Sequence, residues 1–90
     1  MARRERIDRQ FAMRLDEFEQ RCFVLKIEYE KYFSGLSQVE PMRERDDLRR
    51  FVRELKREHT TNTQQKHRVN TLRARFSSLE MYWQRNLVMV

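Results

Sequence analysis

Between Phe11 and Leu36 the apolar residues fall at Phe11, Leu15, Phe18, Cys22, Leu25, Tyr29, Tyr32 and Leu36, with spacings alternating between four and three. A strand repeats its apolar residues every second position, so only a helix places these eight on one face. A heptad stripe of this length needs an apolar surface beside it, and packing against other helices of the chain is the plain explanation. Phe23 and Ile27 lie off the stripe, which predicts that the middle of the helix touches a second neighbour. The expected helix covers about residues 3–34, a length of about 48 Å at ~1.5 Å per residue. Gly35 then stops it in the left-handed conformation.

Gly35 and Pro41 are the single glycine and the single proline, so the chain has few places to turn. Sheets need many turns and bundles need few, which favours long helices throughout. Residues 35–41, GLSQVEP, form the one clear loop. Pro41 suits the first position of a second helix, and Glu40, Glu44, Asp46 and Asp47 cluster where the helix dipole favours negative charge. That helix is expected over about residues 42–57, with Leu48, Phe51, Val52 and Leu55 as its stripe. No apolar residue lies between Glu58 and Arg68. Thr60, Thr61, Asn62 and Thr63 favour caps over helix interior, and Asn62 with Gln65 has the layout of a capping box. These features predict a break near residues 59–62, with one continuous helix as the alternative. A third helix over about 62–88 carries a second heptad stripe at Val69, Leu72, Phe76, Leu79, Trp83 and Leu87. The expected fold is all-α: an antiparallel three-helix bundle, coiled-coil-like, forming one domain over residues 1–90.

A chain of ninety residues buries only ~60% of the surface its unfolded form exposes, so its own core is small. Its net charge is +6, from 20 basic and 14 acidic side chains, and 16 of the basic ones are Arg. Residues 59–90 hold five basic groups and one acidic, so most of the excess sits in the last third. Such a balance permits binding to nucleic acid or an acidic partner, but mixed-sign helix faces are more often solvated surface. Cys22 is the only cysteine, which rules out an internal disulfide. The basic N-terminus is followed by no apolar stretch, so no secretory signal is expected. The longest apolar runs are four residues, against the ~20 of a membrane helix. A cytoplasmic protein, peripheral to a membrane at most, is the expectation.

Three stretches, EYEKYFSG at 28–35, PMRERDDLRR at 41–50 and NTQQKHRVNTLRARFSSLEMYWQR at 62–85, occur here in a distinctive order. Together they resemble a helical domain that recurs in uncharacterised proteins of myxobacteria and related deltaproteobacteria. The resemblance covers about two-thirds of the chain and implies a helical interaction module. It implies no activity, cofactor or site residue. The preference for Arg over Lys suits a GC-rich genome, and with it a bacterial source.

No constellation points to catalysis. Cys22 sits on the first heptad stripe, where a thiol acts as a small buried hydrophobe. His59 and His67 have no cysteine or carboxylate nearby at metal-ligand spacing, so neither a metal nor any other cofactor is expected. Asp46 and Asp47 are adjacent on a helix and diverge by ~100°. One glycine cannot make a phosphate loop. The best candidate for an anionic ligand is the third helix: Lys66, Asn70 and Arg73 on one polar stripe, with Arg68 and Arg75 on other sides. The plainer reading of those residues is the solvated back of an amphipathic helix.

The functional expectation is therefore a non-enzymatic protein–protein interaction module, adaptor or structural, that pairs with itself or with another helical protein. Helix lengths sharpen it. Sixteen residues of second helix reach ~24 Å, which would leave Phe11 and Leu15 overhanging at one end of the bundle. Met81, Tyr82, Trp83 and Leu87 would overhang at the other. Each large side chain left wet forgoes about 1.5–3 kcal/mol of burial, so these six positions are the expected interface of a homodimer. The alternative is a nucleic-acid or nucleoid-associated protein using the Arg-rich surface, and a small anionic ligand between helices is a third possibility.

Overall fold

The computed structural model describes the backbone of residues 2–58 and 62–89, and the side chains of residue 6, residues 8–58 and residues 62–89. Among these the chain forms three helices, α1 (Ala2–Phe33), α2 (Met42–Arg57) and α3 (Thr63–Met89). Each packs on the other two, in an up–down–up bundle with Cα extents of 53 × 18 × 16 Å. The order of contacts along α1 fixes the directions. Arg14 pairs with Glu54 and Glu58, Phe18 meets Phe51, and Tyr29 meets Arg45, so α2 runs antiparallel. Phe18 also meets Phe76 and Tyr29 meets Trp83, so α3 runs parallel to α1.

The stripes read from the sequence form the core. Leu15, Phe18 and Tyr29 of α1, Leu48 and Leu55 of α2, and Phe76 and Trp83 of α3 are all buried. At mid-height Phe18 takes Phe51 and Phe76 edge-on at centroid distances of 5.5 and 5.9 Å, a favoured aromatic geometry. The first stripe is not buried to its end. Cys22 and Tyr32 are partly covered, and Leu36 lies beyond the helix, 81% exposed. Phe23 is 59% exposed, against the expectation of a second contact there.

Gly35 ends α1 as its conformational freedom predicts, at φ +85°. The Leu36 N–H donates to the Lys31 carbonyl (2.9 Å) and the Gly35 N–H to the Tyr32 carbonyl (3.2 Å), the paired bonds of a Schellman stop. Pro41 stands one position earlier than expected, as the N-cap of α2 rather than its first helical residue. The bundle is broken between α2 and α3, which removes the continuous-rod alternative. Asn62 caps α3: its Oδ1 accepts from the Gln65 N–H at 3.1 Å. Residues 59–61, including Thr60 and Thr61, lie outside the described residues.

The expected overhangs do not exist. Phe11 is 5% exposed, Leu15 0% and Trp83 1%, all within one chain. The reason is vertical placement. The loop folds back along the end of α1 before α2 begins, so Glu54 of α2 reaches the level of Arg14. α3 starts lower still, where the Gln65 side-chain amide donates to the Asp8 carbonyl at 2.8 Å. Starting that low, α3 covers Phe11 and Leu15 and brings Trp83 level with Tyr29, below the loop instead of above it.

Candidate interaction surface

Residues with intrinsic chemistry are dispersed. Cys22 is half-buried beside the core, and burial pushes its thiol up to about 12, so it is neither a ready nucleophile nor a thiolate ligand. His67 is exposed on α3, while His59 lies outside the described residues. Asp46 and Asp47 diverge as expected, each pairing with an arginine three residues on, Arg49 and Arg50. Among the described residues no group of three or more His, Cys, Asp or Glu side chains is arranged to hold a metal.

The densest polar cluster was not anticipated. At the loop end the Tyr29 hydroxyl donates to Glu40 Oε2 (2.8 Å) and accepts from Arg45 Nη1 (3.4 Å). Arg45 Nε donates to Glu80 Oε2 (2.9 Å), and Arg49 donates to the same oxygen. The Arg45 guanidinium carbon lies 5.9 Å from the Tyr29 ring centre and 5.8 Å from that of Trp83, and these two rings stack at 4.2 Å. Burial opposes the charged forms of Arg45 and Glu80, but their hydrogen bonds outweigh it. Arg45 is held above its usual pKa and Glu80 below its own. Burial likewise pushes the Tyr29 hydroxyl up to about 12. Every member of the cluster has a partner within the chain, so it locks three helices together and presents no open valence to a ligand. A signal for it existed in the sequence. Arg45 stands three positions before Leu48 of the α2 stripe, and Glu80 flanks the α3 stripe, four positions after Phe76 and three before Trp83, so opposite charges border two apolar seams.

The four cations of the expected anion surface do not converge. Lys66 borders a depression of about 300 Å³ between α2 and α3, lined also by Phe11, Leu55 and Val69. Arg68 turns the other way and is engaged by α1, with Asp16 at 2.6 Å and Glu19 at 3.6 Å. Arg75 lies on that second side, along a shallow depression of about 730 Å³ whose lining includes Lys26, His67, Thr71, Ala74 and Ser78. Arg73 is exposed, and among the described residues neither it nor Arg75 has an ion-pair partner. Elsewhere some arginines pair with carboxylates: Arg14 with Glu54 and Glu58, Arg45 and Arg49 with Glu80, and Arg50 with Asp47.

Of the six residues expected at an interface, Phe11, Leu15 and Trp83 belong to the chain's own core. Leu87 is partly covered, and Met81 and Tyr82 are exposed at 62% and 55%. The apolar surface lies instead along the sides of the rod. On α1 it comprises Met13, Phe23 and Val24, with Ile27 partly exposed, and a second group gathers at the loop end, with Leu36, Val39, Met42, Val88 and Met89. No helix of the described residues is long and apolar enough to cross a membrane.

Compared with protein families, characterised proteins and solved structures, the chain matches none of them.

Proposed function

We propose that the chain is a non-enzymatic helical module that binds protein, itself first, through the outer faces of its bundle. One observation carries this reading: the core is complete within one chain, yet large apolar side chains such as Phe23, Val24, Met81 and Tyr82 stay exposed on the helix sides. Single exposed apolar residues are ordinary, but Phe23, Val24 and Ile27 share one stretch of α1, as interface residues do. Carboxylates intermixed with the arginines argue against phosphate binding as the main role, because they repel phosphate, and Arg14, Arg45, Arg49, Arg50 and Arg68 already pair with acidic side chains.

Light scattering on purified chain at about 10–100 µM tests this, a range in which weak, specific protein pairs associate. The expected mass is twice 11.3 kDa. A monomer that also captures no protein partner from its native cell would end the proposal. Nucleic acid that co-purifies and dissociates steeply with salt would replace it by the nucleic-acid reading.

A further inference from the structure

On α1 the residues Glu19, Phe23, Lys26 and Glu30 form one stripe at spacings of four, three and four. Three of the four border α3: Glu19 lies 3.6 Å from Arg68, Lys26 lines the depression over Thr71, Ala74 and Ser78, and Glu30 lines a second one with Leu79 and Tyr82. Phe23 therefore stands on the α1 edge that flanks α3. A large exposed ring and a shallow hollow lined in part by the small side chains of Thr71, Ala74 and Ser78 thus lie next to each other on one face. In its own chain the ring stays 59% exposed and does not line the hollow.

We propose that two copies of this chain pair in parallel through their α1/α3 faces, with Phe23 of each seated in the hollow over Thr71, Ala74 and Ser78 of the other. The inference rests on the protein-binding reading and names its partner. A two-fold axis parallel to the helices sets α1 of each copy against α3 of the other and preserves height along the rod. Phe18 lies level with Phe76 and Tyr29 with Trp83, so Phe23 falls between these levels, at the Ser78 end of the hollow.

The charges agree with this arrangement. Residues 12–30 of α1 hold five acidic side chains against three basic ones, whereas α3 has five basic and only Glu80 acidic. Glu80 is already committed to Arg45 and Arg49. In the parallel pair Glu30 comes level with Arg85 of the other copy, and Asp16 and Glu19 come near its Arg75. An axis across the helices would set α1 against α1, with like charges opposed. An end-to-end pair through Leu36, Val39 and Met89 has only the 18 × 16 Å end of the rod to use. The 53 × 18 Å side offers on the order of 900 Å² per copy, against the ~800 Å² of a standard stable interface.

Sedimentation velocity on the full chain and five variants decides the matter, with circular dichroism confirming that each variant is folded. Phe23→Glu and Ala74→Glu are both at exposed positions and should each raise the dimer dissociation constant at least about tenfold. Leu36→Glu, at the loop end, should leave it unchanged. Arg85→Glu should weaken the pair, and adding Glu30→Arg to it should restore association. A dimer indifferent to Phe23→Glu and Ala74→Glu overturns this face while leaving self-association intact. A chain that stays monomeric overturns the face as well, and the protein-binding reading then depends on capture of a different partner.

Discussion

The two ends of the bundle are held by different means. At the loop end Tyr29, Glu40, Arg45, Glu80 and Trp83 bring hydrogen bonds, charge pairing and ring stacking to the same place, and all three helices contribute. At the far end Phe11, Leu55 and Val69 meet around a depression of about 300 Å³, and the polar contacts among the described residues include the Asn62 cap, the Gln65 bond to Asp8 and the exposed pairing of Arg14 with Glu54 and Glu58. Desolvation makes the first arrangement expensive to break, because removing one partner strands the others in a poorly hydrated site. The second loses apolar contact, and the charges it separates are already open to water. The chain should therefore open from its far end.

The largest effect is expected from Trp83→Ala, at about 3–5 kcal/mol. At ~0.05–0.15 kcal/mol per residue the whole chain has only about 5–13 kcal/mol to lose, so the variant should lose a large share of its stability, read as a lowered denaturant midpoint. Phe11→Ala should cost less, about 2–3 kcal/mol, because its site already opens onto the adjoining depression. Equal losses would abolish the contrast between the ends.

Arg45→Ala should cost about 2 kcal/mol in thermal melts, by leaving Glu80 and Glu40 with fewer donors. Arg45→Met, which restores volume without charge, should recover part of it if desolvation governs the site.

Acid sharpens the comparison further. Glu80 has its pKa lowered in the folded state, so its contribution is present above the unfolded carboxylate pKa and is lost as pH falls through the lower folded value. Melting temperature should fall on acidification below about pH 4.3, the unperturbed value of a Glu side chain, and Glu80→Gln should flatten that fall. If wild type and Glu80→Gln lose stability in parallel, the lock is not what acid breaks.

The smallest effect belongs to the far end. Asn62→Ala should cost about 1 kcal/mol and Asn62→Gly only a few tenths, read from denaturant midpoints. Hydrogen exchange should show the first turn of α3 opening before its last turns in both variants.

Much of this architecture was legible in the residues. The four-and-three spacing of Phe11 to Tyr29 and of Val69 to Trp83 identified the core faces, and the bounds of α2 were readable from its stripe and basic ending. Gly35 and Asn62 announced their caps through conformational preference and side-chain chemistry. Vertical registration was hidden, because helix lengths say how far each element reaches but not where it starts. The setback made by the loop after Gly35 therefore turned three expected interface residues into core. Arg45 and Glu80 were overlooked for another reason. Isolated charges read as solvated surface, and only their positions beside facing stripes reveal that they meet. Of the candidate interface, Met81 and Tyr82 are exposed as expected, while Phe23 was misread as covered.

The odd number of helices has a mechanical meaning. Because α1 and α3 run parallel, residue 2 and residue 89 lie at opposite ends of the rod. A pull applied along that line loads the helix contacts in shear, so many of them must fail together. A hairpin of two helices, with both ends on one side, would instead unzip one contact at a time. The clamp of Arg45 on Glu80 crosses the shear plane between α2 and α3, where it resists sliding. Set in a tensioned assembly, the bundle would act as a stiff in-line link.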